Sequence, residues 1–236
     1  MKLCKTPLYA CLFLLATVPA YCQRGIFGLN IGQTSDKFDS QPSVSGLEFG
    51  VDGRFDVLRY KPKTERPAIT AGGEIRLPTD TGNHAREYAF FGGPEFHFKD
   101  SNLIIGLHAQ LRQINLPAAT VDNQIFARDR LRLLELPLVI RYKFGPDKKA
   151  FIEAQGAPEF TPHYHTSSQS LVSLPNPNFD HGYFVRGTVG YQFRQPYYVK
   201  ATYENRYFKF VENAGNPSSL YNWKTNLIEG GIGVTF

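Results

Sequence analysis

Cysteine is nearly missing from this chain. Its three cysteines, Cys4, Cys11 and Cys22, all fall within the first 22 residues. Once a leader of that length is removed at most one thiol remains, which excludes an internal disulfide and leaves no basis for thiolate catalysis or a cysteine-based metal site. Long apolar runs are missing too: after residue 22 nothing approaches the roughly 18 consecutive apolar residues a membrane helix needs. There is no basic run and no aromatic-basic motif. The formal net charge of +5 falls to +3 when Lys2 and Lys5 are subtracted, so charge gives no case for nucleic acid. Helical periodicity is absent. The mean hydropathy of −0.30 matches a soluble protein, but a transmembrane barrel averages the same because half of each strand is polar.

What is present begins with an export signal. Lys2 and Lys5 precede an apolar run from Leu8 to Val18, too short to span a bilayer and suited to a secretory h-region. Cleavage is expected after Ala20 or after Cys22, which sets two regions: residues 1–22 as the signal and 23–236 as one domain. A lipid anchor on Cys22 is disfavoured because Tyr21 stands where that signal has a small residue.

The domain reads as strands throughout. Ten segments have strand character: 24–33, 44–58, 67–77, 86–98, 102–114, 129–144, 150–163, 182–194, 197–211 and 223–236. The alternative is eight, if 24–33 and one neighbour do not pair. Links alternate in length. Lys99 to Ser101, Gly145 to Lys149 and Gln195-Pro196 are tight, whereas Ser35 to Ser43, Pro78 to Ala85, Asn115 to Arg128, Tyr164 to His181 and Glu212 to Asn222 are long. Only Arg59 to Arg66 is long where the scheme asks for a short turn. Short turns at one end and long loops at the other is how an antiparallel up-and-down barrel threads the outer membrane, with both termini periplasmic.

Alternation separates two faces. Leu47, Phe49, Val51, Phe55 and Val57, and later Leu134, Leu136, Leu138, Ile140, Tyr142 and Phe144, share one. Glu48, Asp52, Arg54, Asp56, Glu74, Arg76, Arg112, Arg141, Glu153, Arg186, Lys200, Glu204 and Arg206 share the other. The same pattern suits a soluble lipocalin-like barrel with its apolar face inward. The signal, the loop parity and the aromatic Phe236 closing the last strand favour lipid outside. The expected fold class is therefore all-β, a transmembrane barrel. Pro137 falls inside a predicted strand, where it is expected at a bulge or a strand end.

Three segments carry a family resemblance. Leu134-Glu135-Leu136-Pro137-Leu138-Val139-Ile140-Arg141-Tyr142-Lys143-Phe144-Gly145, the following Ala150 to Gly156, and the ending Gly230 to Phe236 resemble the porin-family outer-membrane β-barrel domains, within the OmpA-like small-barrel superfamily. The resemblance implies an outer-membrane location and says little about activity, since one fold hosts many functions. It also implies that Phe236 is read by the barrel-assembly machinery.

Ten strands enclose a narrow lumen, which inward Arg, Lys, Glu and Asp of both signs are expected to fill, with Gly50, Gly72, Gly93, Gly106 and Gly190 making room for long neighbours. A plugged monomer results, with a structural or surface-interaction role through long loops and with outer-membrane lipid and lipopolysaccharide as partners. The alternatives are a small-solute channel and a hydrolase, either lipid A deacylase-like or protease-like. For the latter the rim candidates are Asp80 with His84, His163 and His165, Asp180 with His181, and His165-Thr166-Ser167. The protease pattern of two Asp two residues apart in one loop and Asp two before His in another is absent. His163 and His165 as a metal pair lack a third ligand. No catalytic, cofactor or metal residue is assigned, and no enzymatic activity is expected.

Overall fold

A computed structural model describes residues 25–38, 43–58, 67–80, 84–98, 101–115, 119–121, 124–126, 129–166, 177–212 and 219–236. The signal segment 1–22, the Arg59 to Arg66 link and Ser167 lie outside the described residues. Strands β1 (Gly25–Phe38), β2 (Val44–Leu58), β3 (Ala68–Pro78) and β4 (Arg86–His97) follow one another as antiparallel neighbours. The fifth stave is β5 (Leu103–Leu107) continued by β6 (Ala109–Asn115) after His108. A hairpin of β7 (Ala119–Val121) and β8 (Gln124–Phe126) follows. The sixth stave is β9 (Asp129–Glu135) and β10 (Leu138–Phe144); β11 (Ala150–Thr166), β12 (Pro177–Arg194), β13 (Tyr197–Glu212) and β14 (Ser219–Thr235) complete the set. The first strand pairs with the last, from Ile26 opposite Thr235 to Phe38 opposite Trp223. Ten antiparallel staves thus close on themselves without a free edge. The eight-strand alternative is not realised.

Gly25 and Phe236 bond to each other through both backbone groups, at 2.8 and 3.0 Å. They lie at the same end as the short turns. One of these is the Gly145–Lys149 turn, where Gly145 (φ 79°), Asp147 (φ 58°) and Lys148 (φ 56°) take left-handed backbone. Glycine and aspartate tolerate that region better than most residues do.

The faces fall as the alternation requires. Leu47, Phe49, Leu107, Leu111, Leu138, Val185, Val189, Ile228 and Ile232 are exposed on the outer wall, Ile228 at 65%. Arg112, Arg206, Glu135, Glu204 and Trp223 are buried inside. A soluble barrel would have the reverse polarity. In water such an outer band would be an association hazard, and in acyl chains it is at home.

Pro137 sits between β9 and β10, where β9 pairs with β6 and β10 with β5. Its missing N–H is lost at an interruption of the ladder, and its carbonyl still accepts from His108 N at 3.0 Å. Several strands extend beyond the sequence reading on the loop side: β1 to Phe38, β11 to Thr166, β12 from Pro177 and β14 from Ser219.

Candidate functional site in the barrel lumen

Every second residue of each strand points into a narrow cylinder, and where its lumen is filled the inward side chains must satisfy one another. They form three layers.

Nearest the termini the lumen is hollow. A cavity of about 220 Å3, lined among others by Asp52, Lys200, Glu153, Phe151 and Tyr198, adjoins one of about 680 Å3 at the mouth. The two share Ile26, Arg54, Arg141, Lys143, Gln192 and Thr235. Glycines shape this space. A Cβ on Gly190 would stand 2.3 Å from the Phe151 ring, and one on Gly72 2.4 Å from the Phe91 ring, so each glycine admits an inward aromatic from the neighbouring strand. Arg54 links Glu95 on β4 with Glu153 on β11 (3.5 Å). Lys200 Nζ lies 2.5 Å from Asp52.

The middle layer is ionic. Arg206 on β13 reaches Glu87, Glu159 and Glu204, each at 3.0 Å. Arg112 on β6 donates to Glu87 (2.6 Å) and Glu135 (3.1 Å). Arg76 on β3 donates to Glu204 through two nitrogens at 3.0 and 3.2 Å and lies 2.5 Å from Glu74. Arg186 on β12 donates to Glu74 at 2.9 and 3.2 Å and to Glu204 at 2.6 Å. β4 and β13, like β3 and β12, stand on opposite sides of the ring of staves, so these bonds cross the full lumen. The guanidiniums of Arg112, Arg186 and Arg206 also lie 5.9, 6.0 and 5.4 Å from the Phe184 ring centroid, within cation–π range. Carboxylates are in excess in this layer. Glu48, Glu74, Glu87, Glu135, Glu159, Glu204 and Glu229 outnumber the four arginines of this layer. The fork of each guanidinium carries five donors, enough to bridge two or three carboxylates at once.

Above it the lumen turns apolar. Ile114, Leu131, Leu133, Phe208, Phe210, Trp223 and Leu227 are buried, with Phe208 and Trp223 stacked at 4.9 Å. One polar knot crosses this layer. Trp223 Nε1–H (3.1 Å) and the Thr225 hydroxyl (2.5 Å) donate to one oxygen of Asp36, and His84 Nδ1–H donates to the other at 2.7 Å. His84 sits in the link between β3 and β4, and its ring lies against Gly46, whose Cβ would meet Nε2 at 2.4 Å. The hydrogen bond that His84 donates to Asp36 raises the His84 pKa above its ordinary value.

Of the rim candidates, His84 hydrogen-bonds Asp36 through its side chain, and its backbone N–H donates to the Asp80 carbonyl at 3.2 Å. Asp180 and His181 do meet, Nδ1 to Oδ2 at 2.9 Å, on the exposed outer wall, with Lys209 Nζ 3.5 Å from the same carboxylate. The backbone of His163 and His165 belongs to β11 and pairs with Arg132 and Arg130; their side chains are not among those described. Among the described residues no group of three His, Cys, Asp or Glu is arranged to hold a metal.

No family model and no curated protein matches this chain. Among solved structures it is similar to the outer membrane protease OmpT from Escherichia coli, with 11% identity over 91% of this chain and 96% of that one and a TM-score of 0.46. It is also similar to the KdgM porin (10%, 88% and 99%, TM-score 0.38) and to Neisserial surface protein A (11%, 90% and 97%, TM-score 0.38). The strand ladder, the closed ring, the apolar outer wall and the ionic lumen carry the assignment without them: the chain is a small outer-membrane β-barrel protein.

Proposed function

We propose that the barrel is plugged and non-enzymatic, and that it serves the outer membrane as a structural and surface-interaction protein rather than as a diffusion pore. The observation that carries this reading is the arginine–glutamate layer, in which Arg206 to Glu87 and Arg186 to Glu74 each span the lumen between opposite walls. Arg112 and Arg206 side chains are fully buried there. Solute would have to break several buried charge pairs, each costly to leave unpartnered. The hollow toward the termini is then a blind vestibule. The Asp180–His181 pair supports no hydrolytic role, because its carboxylate is already shared with Lys209 on an open surface.

The full chain, refolded and inserted into planar bilayers, tests this directly. Absence of stepwise conductance is expected; stable ohmic steps at neutral pH without denaturant overturn it.

A further inference from the structure

The outer wall continues beyond its apolar band on the loop side, and there the charges on the described outward strand residues are nearly all of one sign. On β1 the outward sequence passes from Leu29 and Ile31 through Gln33 and Ser35 to Lys37; on β14 it passes from Ile228 through Asn226 to Lys224. On β13 it runs from Tyr203 through Asn205 and Tyr207 to Lys209. Lys37 is opposite Lys224, and Lys224 is opposite Tyr207, with its Nζ 5.8 Å from that ring. On the far side of the barrel Arg86 lies two outward positions beyond Phe90, and Arg132 one beyond Leu134. The acid described on these outward strand positions is Asp180, already engaged by Lys209 and His181. The glutamates described in the strands turn inward.

We infer that Lys37, Arg86, Arg132, Lys209 and Lys224 form a cationic collar that docks the phosphate groups of an anionic glycolipid in the outer leaflet. This deepens the structural role above and rests on the outer-membrane reading. Three facts of placement support it. Outward positions recur every 6.6 Å or so along a strand, so these cations stand about 7 to 20 Å along their strands beyond the last apolar residue, on the polar side of the lipid boundary. The border is marked by Tyr203, whose hydroxyl donates to Asn226 at 3.1 Å, an amphipathic ring where one edge is apolar and the other wet. A ring of like charges repels itself unless counter-ions of the opposite sign sit beside it, and phosphorylated lipid supplies these in fixed array.

The full chain in mixed micelles is titrated with a diphosphorylated glycolipid and with its dephosphorylated counterpart, and retained lipid is counted by native mass spectrometry. The phosphorylated form is expected to bind at least tenfold more tightly. Each exposed cation removed should weaken it about fivefold, so Lys37→Gln with Lys224→Gln gives roughly a 25-fold loss. Lys148→Gln with Lys149→Gln at the opposite end should give none. Equal retention of both glycolipids, or no loss in the collar variant while the barrel remains folded, overturns the inference. So does full competition by millimolar inorganic phosphate, which would show a small-anion site instead. Conductance is read on the same variants and should not move, which keeps failure of the collar separate from failure of the plug.

Discussion

Arg206 and Glu87, 119 residues apart in sequence, meet at 3.0 Å across the widest separation the ring of staves allows. The bond is one of four that Arg206 makes or shares with surrounding glutamates, and its side chain has no contact with solvent. Replacing Arg206 by methionine keeps much of the volume and abandons Glu87, Glu159 and Glu204 without their common partner. A loss of about 3–5 kcal/mol is expected, as for other broken buried pairs, and urea unfolding in lipid vesicles measures it.

Emptying both upper layers should open the barrel. Arg76→Ala, Arg112→Ala and Arg206→Ala delete three of the four bridging side chains, and Phe208→Ala with Trp223→Ala removes the stacked rings of the apolar layer above them. Discrete conductance in planar bilayers is the expected result for the combined variant, against none for the natural chain or for the three arginine substitutions alone.

The knot at Asp36 predicts a pH effect with a definite sign. The folded-state pKa of His84 is raised by its bond to Asp36, so protonation favours the folded form. The stabilisation is fully present below the unfolded histidine value of about 6.5 and is lost as pH rises through the folded value. Urea midpoints of the natural chain should therefore fall on going from pH 6 to pH 9 by more than those of His84→Gln. At pH 6 that substitution should cost about 2 kcal/mol, the scale of a hydrogen bond to a charged group.

Gly190 and Phe151 test the vestibule. A Cβ at Gly190 would collide with the ring, so Gly190→Val should destabilise by about 1–3 kcal/mol through overpacking. Phe151→Leu in the same chain should recover part of that, and a double-mutant cycle on unfolding free energies reads the coupling.

The polarity of the wall has its own test. Val189 and Ile228 face outward at 52% and 65% exposure. Val189→Arg should cost about 2–4 kcal/mol in a bilayer if the position lies near the midplane. Unchanged stability in vesicles, together with folding in plain buffer, would argue for a water-soluble cylinder.

Strand identity and facing were readable wherever the two sides of the wall see different media. From Leu134 to Phe144 apolar residues alternate with Glu135, Pro137, Val139, Arg141 and Lys143, and the structure keeps that sorting. The pattern fades where the wall leaves lipid. Thr34 and Asp36 face in while Ser35 and Lys37 face out; all four are polar, so period two disappears and the segment reads as loop. For that reason β1 extends to Phe38 rather than 33. The same blind region hid the partner of His84, because Asp36 stood in the supposed loop 48 residues away. The inner arginines and Glu48, Glu74, Glu153 and Glu204 could be named from the pattern; Glu87, Glu95, Glu135 and Glu159 were not among them, and the cross-lumen pairing depends on which staves lie opposite, a property of the closed ring and of no local window.

The seam between β1 and β14 has one further implication. Until those two ladders zip together, the strands already laid down present raw amide and carbonyl rows at both margins, and hydrocarbon offers them no hydrogen bonds. No partial set of staves can rest comfortably in the acyl region. The cylinder must therefore complete itself in one concerted act, or be chaperoned by a proteinaceous edge until its two ends find each other.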